Sequence, residues 1–218
     1  MKLILRIIDW FLDRFRLKSA HRGIFERDIP ERINYFYCFG GIAFTAFLTC
    51  LVSGLFLSVH YVPSEKEAYQ SIIRIHEEVY LGKLTRGVHK WSANVLIVSM
   101  IIHSIRVFIT KSYRPPRELN WIVGVLLLFI VMLEGFTGYL LPWDQKAYWA
   151  TVVGTNIAGS IPFVGESILL LIRGGYEVSG ATLSRFYSFH VLWFPLIIFL
   201  LLWAHFHMIK KLGISKPL

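Results

Sequence analysis

Charge is scarce in this chain. Asp, Glu, Lys and Arg make up 17% of its 218 residues, against 55% for hydrophobic side chains. A water-soluble domain of this length carries more charge and shorter apolar runs, so that class is excluded. Cysteine is rarer still. The two present, Cys38 and Cys50, lie in or at the start of one apolar run, which rules out a disulfide framework. No C-x-x-C-H stretch occurs, so the standard signature of a covalently attached haem is missing. Internal repeats and low-complexity tracts are absent as well. No cleavable signal is needed to explain the first apolar run, because a polar, charged segment precedes it.

What the chain does have is four apolar runs, at about 35–60, 91–109, 121–141 and 187–209, each at or near the ~18-residue threshold for a membrane span. The fold class they imply is an all-α membrane protein, a four transmembrane helix bundle. Residues 3–17 place apolar side chains on one face and Arg6, Asp9, Asp13, Arg14 and Arg16 largely on the other. That pattern reads as an interfacial amphipathic helix, with a partner-binding helix as the alternative. The expected division is an interfacial segment over 1–29 and a four-helix domain over 30–218. A surface helix is expected around 67–78, a tight turn over 113–120 (YRPPRELN), and further surface helices around 148–157 and 161–172. The net charge of +9 invites a nucleic-acid reading, but its distribution argues against one. Lys and Arg number 15 in the two terminal segments and the 106–117 loop, and 8 in the other two loops. The positive-inside rule then places both termini on the cytoplasmic, or stromal, side of a multi-pass protein.

The stretch 86–106, RGVHKWSANVLIVSMIIHSIR, organises the rest. Its His89 and His103 are 14 residues apart, so they share one helix face to within about 40°, ~21 Å apart along the axis. The fourth run repeats the device with His190 and His205, 15 apart. Both runs cross in the same sense, so His89 pairs in depth with His190 and His103 with His205. A single histidine at membrane depth is often just a hydrogen-bonded interior residue, but four at paired depths point to function. Gly40 and Gly54 in the first run, and Gly124 and Gly138 in the third, repeat the 14-residue interval. Glycine in a membrane helix commonly serves helix packing, but it also lets a bulky flat ligand approach the backbone, and the shared interval favours the second role. Zinc normally takes three or four protein ligands, and each level offers two. Iron in a porphyrin takes two axial ligands. Two bis-histidine b-type haems fit the count, the spacing and the glycines. His207, ~200° around the helix from His205, is read as non-ligating.

The motifs GVHKWSA, IIHSIRVF, PRELNWIVGV, GFTGYLLPWDQ, TLSRFYSFH and HFHMIKKLGIS, in this order, resemble the N-terminal four-helix part of cytochrome b. The length, the interval of 15 in the fourth run and Cys38 in YCFGG resemble cytochrome b6 and its bacterial relatives. The resemblance implies haem iron ligation by His89, His103, His190 and His205, with Arg86 as a haem-propionate partner; a solvated loop arginine is the alternative for Arg86. It further implies a third haem joined to Cys38 by one thioether bond, with Lys210 placed to meet a propionate at that face. The implied activity is that of a subunit of a quinol–cytochrome c (or plastocyanin) oxidoreductase, with quinol and quinone as substrates. The family's Pro-Glu-Trp-Tyr quinol-oxidation motif is absent from this chain. The implied partners are therefore a subunit IV-like C-terminal cytochrome b part, a Rieske iron–sulfur protein and a cytochrome c-type subunit, in a dimeric complex with no nucleic acid. The bacterial plasma membrane is the favoured location, the thylakoid membrane the alternative.

The chain departs from the family pattern at Lys90, Lys216 and Glu134. Glu134 lies inside the third run, and two readings stay open for it: a proton-conducting or quinone-contacting role, or a buried pair with a basic residue. Two other functions compete with the leading one. A dihaem anchor for a soluble dehydrogenase would lack PWDQ and the glycine intervals. A transporter with proton-relay histidines would show no Soret band.

Overall fold

FGGIAFTAFLTCLVSGLFLSVH holds neither a charged residue nor a proline, and nothing in it interrupts a helix. In a computed structural model, which describes residues 34–215, it forms α1, Phe39–His60, entered through a 3₁₀ turn at Tyr35–Cys38. There follow α2 (Ala68–Glu77), α3 (Gly82–Ile109), α4 (Glu118–Leu140), α5 (Gln145–Gly159), α6 (Gly165–Arg173) and α7 (Gly180–Ser188). A π turn at Phe189–Trp193 then leads into α8, Phe194–Leu212. The described residues include no strand. Four stretches are long and apolar enough to cross a membrane: Tyr35–His60, Gly82–Ile109, Glu118–Leu140 and the continuous Gly180–Leu212. The amphipathic segment expected over 3–17, the whole 1–29 division and Lys216 lie outside the described residues. Tyr35–Gly213 forms one compact unit.

Three of the expected span boundaries need correction. The helix expected over 91–109 starts at Gly82, because hydropathy marks only its apolar part while Lys83, Arg86, His89 and Lys90 are all compatible with helix. The span expected over 121–141 is Glu118–Leu140, and that over 187–209 is Gly180–Leu212. The turn expected over 113–120 is shorter. α4 begins at Glu118, whose carboxylate suits the positive end of the helix dipole, and Pro115 and Pro116 lie just before it.

α1 packs along α3, and α4 along α8, with α3 also touching α4. The bundle turns large apolar side chains outward: Val52, Phe129 and Trp203 are each more than half exposed, as befits a surface that faces lipid. Its interior holds a layer of Ala43, Ala46, Phe47, Leu96, Leu127, Val131 and Ile198. In each helix these residues fall between the two histidines or between the two glycines. A second cluster, with Tyr61, Ala68, Ile75, Leu140, Leu183 and Phe186, packs the connecting helices onto one end of the bundle. Tyr61 donates to the Leu141 carbonyl at 2.7 Å. Burial, with the neighbouring Tyr187 phenol adding to it, pushes its own phenol above the usual tyrosine range, so it remains a neutral donor.

The segment between α4 and α8 is fixed by caps and one buried cation. Asp144 of PWDQ caps α5, its Oδ1 accepting from the Ala147 N–H at 2.8 Å. Ser179 and Thr182 form a capping box on α7. Arg173, only 4% exposed, donates to Thr155 Oγ1 (2.7 Å), Asn156 Oδ1 (2.8 Å), and the Val152 (2.9 Å) and Tyr176 (2.7 Å) carbonyls. Removing it leaves several buried acceptors unpaired, each costing about 1–3 kcal/mol. Arg173→Met is therefore expected to destabilise the protein by about 3 kcal/mol or more, read as a lowered thermal midpoint of the purified protein in detergent. An unchanged midpoint would contradict the anchoring role.

Candidate functional site

α3 carries His89 and His103; the π turn carries His190 and α8 carries His205. The His89 and His190 rings face each other, their centroids 6.0 Å apart and their planes at 79°. Nδ1 of His89 lies 3.0 Å from Ser53 Oγ and 3.1 Å from the Cys50 carbonyl oxygen. Nδ1 of His190 lies 3.0 Å from the Glu134 carbonyl oxygen and 3.2 Å from Glu134 Oε1. A carbonyl oxygen only accepts, so in both rings Nδ1 carries the hydrogen and Nε2 carries the lone pair. Metal-binding imidazoles are held in this way. Two opposed metal–imidazole bonds of about 2 Å, added to the radii of the two rings, come to about 6 Å.

The described residues contain no group of three or more His, Cys, Asp or Glu able to hold a metal ion. A metal whose in-plane positions are filled by a macrocycle asks only for the two imidazoles.

The second level is built differently. His103 and His205 lie close enough to interact electrostatically. Nδ1 of His103 is 3.4 Å from the Arg106 guanidinium, which also stacks over the Tyr37 ring at 4.3 Å. His205 Nδ1 is buried and makes no hydrogen bond of good geometry; the acceptor it faces is the Asn120 carbonyl. Tyr37 Oη, Arg106 Nε, Arg117 Nε and Asn120 Oδ1 are likewise buried without partners. Of these, the Tyr37 hydroxyl and the two arginine Nε atoms are donors that an acidic or other acceptor group could satisfy.

Each glycine of the 14-residue intervals stands against one imidazole. A Cβ on Gly40 would lie 3.0 Å from the His103 ring, on Gly54 3.1 Å from His89, on Gly124 3.6 Å from His205, and on Gly138 2.5 Å from His190. The glycines thus form a cradle that a larger residue would fill. The unequal histidine intervals are reconciled by the π turn. Pro195 has no N–H to give the Val191 carbonyl, and the helix widens there to an i→i+5 bond from Phe194 N–H to the Phe189 carbonyl. One residue is taken up in that turn, so an interval of 15 spans what 14 span in α3.

The other expected site residues are more dispersed. Arg86 is half-buried on α3, one turn before His89 and on the same face, with no hydrogen bond or ion pair to any described residue. Cys38 is an exposed free thiol in the 3₁₀ turn. It stands at one end of a groove of about 830 Å³ between α1 and α3, with Tyr37, Gly41, Thr45, Trp91 and Ser92 among its walls. Lys210 is exposed in the last turn of α8.

The cytochrome b/b6/petB family model matches residues 24–213. The chain belongs to the cytochrome b/b6 family. This cytochrome b/b6 chain is 44% identical to the menaquinol:cytochrome c reductase cytochrome b subunit of Bacillus subtilis, over 98% of this chain and 99% of that one. It is 43% identical to cytochrome b6 of Cyanidium caldarium, with the same two coverages. In a solved hyperthermophilic respiratory Complex III, the similar chain superposes with a TM-score of 0.90 at 34% identity. The match covers 96% of the present chain and 56% of that longer one. Family membership and four apolar helices together make this an integral membrane protein.

Sequence reasoning passed over Arg106, Tyr37, Arg117 and Asn120 of this cytochrome b/b6 chain. The signal for Arg106 was a basic residue one turn beyond His103, but it was absorbed into the topology count. The glycine geometry yields a graded expectation. Gly138→Ala forces Cβ against His190 and should cost about 1–3 kcal/mol, as overpacking does. Gly124→Ala makes only ordinary contact with His205 and should cost less. Thermal unfolding of the two purified variants compares them, and equal midpoints would refute the ranking.

Proposed function

We propose that this chain is the dihaem electron-carrying subunit of a quinol–cytochrome c or quinol–plastocyanin oxidoreductase, conducting electrons between quinol-oxidising and quinone-reducing sites on opposite membrane faces. The observation that carries the reading is the pair of imidazoles 6.0 Å apart, each with Nδ1 anchored, Nε2 uncommitted and a glycine opposite. His89 and His190 hold one b-type haem at the outer level; His103 and His205 hold the other at the inner level. Bound there, each group supplies a one-electron iron couple. The chain's own residues do the rest. Ser53 and the Cys50 and Glu134 carbonyls fix the tautomers at the outer level. Gly40, Gly54, Gly124 and Gly138 give the flat macrocycles access to the backbone. Arg106 and Arg117 offer N–H groups to carboxylates at the inner level, and Arg86 offers them at the outer. The apolar layer around Leu96 and Val131 separates the two levels.

Both termini are cytoplasmic in this reading, with a bacterial plasma membrane as the favoured location and a thylakoid membrane as the alternative. The partners are a C-terminal cytochrome b part, a Rieske iron–sulfur protein and a cytochrome c-type subunit, in a dimeric complex. A third haem joined to Cys38 is supported by the exposed thiol at the end of the groove, with Lys210 on the same side.

A redox-titrated visible spectrum of the purified complex, read with single replacements, tests the pairing. His89→Leu and His190→Leu should each remove one b-type signal, and His103→Leu and His205→Leu the other. A replacement that leaves both signals intact would break the pairing. For Cys38, a denaturing gel stained for haem peroxidase activity should show a band in wild type that Cys38→Ser loses while keeping both b-type signals. An unstained wild-type band would leave a two-haem protein.

A further inference from the structure

Glu134 is the acidic side chain that sits deep in a span, and the structure gives it a partner. It lies on α4, one turn before Gly138, so it and that glycine face the same ring. Its side chain is 19% exposed, with Oε1 3.2 Å from His190 Nδ1. Its own backbone carbonyl is 3.0 Å from the same nitrogen. The second carboxyl oxygen, Oε2, is buried with no hydrogen-bond partner. Of the two readings open from sequence, the pair with a basic residue is the nearer. The base is an imidazole rather than a lysine or arginine.

The environments of the four histidines are unequal. His89 has a serine hydroxyl and a carbonyl as acceptors, His205 faces a carbonyl, and His103 has a guanidinium beside it. Among the described residues, a carboxyl group stands within bonding distance of a histidine at His190 alone. An acceptor of this kind on the far nitrogen fixes the ring plane and raises the electron-donating power of the ligating nitrogen.

We infer that Glu134 is a positioning residue for His190: its backbone carbonyl accepts the Nδ1–H, and its carboxyl oxygen, 3.2 Å from the same nitrogen, lies against that edge of the ring and strengthens Nε2 as a donor. This favours the oxidised state of an iron held between His89 and His190 over one held between His103 and His205. The inference rests on the haem reading above.

The test is a potentiometric titration of the purified complex carrying E134L or E134Q, with low-spin ferric electron paramagnetic resonance of the same samples. In E134L the outer midpoint should rise by the equivalent of about a tenfold change in its one-electron equilibrium, about 59 mV. The highest g value of that haem should move with it, and the inner midpoint should stay fixed. E134Q, which keeps the side-chain shape, should shift the outer midpoint in the same direction by less, and it decides the matter if E134L does not assemble. An unchanged outer midpoint in E134Q, or equal shifts at both levels, would overturn the assignment of Glu134 while leaving the haems in place. Wild-type complex without b-type haem would instead overturn the reading on which the inference rests.

Discussion

An imidazole held at membrane depth has two nitrogens, and each must be accounted for. Polar groups there cost free energy unless they are paired or put to use. In this chain one nitrogen of the His89 ring and one of the His190 ring are settled by carbonyl oxygens that α1 and α4 supply. The other is left aimed across the bundle. Once Nδ1 is fixed, the ring cannot flip, and the helix that supplies the acceptor cannot slide without losing the bond. The Cys50 carbonyl accepts although it sits mid-helix, where its second lone pair is still available. The register of α1 against α3, and of α4 against the π turn, follows from those contacts as much as from apolar packing.

The two levels differ in their polar neighbours. A carboxyl group stands by His190 and a guanidinium by His103, with further guanidinium nitrogens unpaired close by. An apolar layer of alanine, phenylalanine, leucine, valine and isoleucine side chains lies between them, and in such surroundings charges are poorly screened.

Much of this was legible in the sequence. Four apolar runs announced four helices, and the run read at about 35–60 matches Tyr35–His60. The shared 14-residue interval of glycine and histidine was legible, but which glycine stands against which imidazole was not, because that depends on how the helices are rotated against one another. The start of α3 was not legible, because hydropathy does not register a helix that continues into polar sequence. The partner of Glu134 was hidden for a different reason. A carboxylate at membrane depth states a cost, but which of several neighbours offsets it depends on helix rotation, which periodicity alone leaves open. Arg106 was legible as a charge and illegible as a neighbour of His103 and Tyr37, because counting charge for topology discards its position on the helix.

The π turn at Phe189–Trp193 bears on how such chains are measured. Residue number serves as a ruler only along an unbroken α-helix. Where Pro195 removes one amide hydrogen, the ruler stretches, and two markers that differ by one in sequence coincide in space. An alignment that scores the extra residue before His205 as an insertion would treat it as a length change in the protein. Physically nothing has been lengthened. The residue is slack, stored in one wide turn.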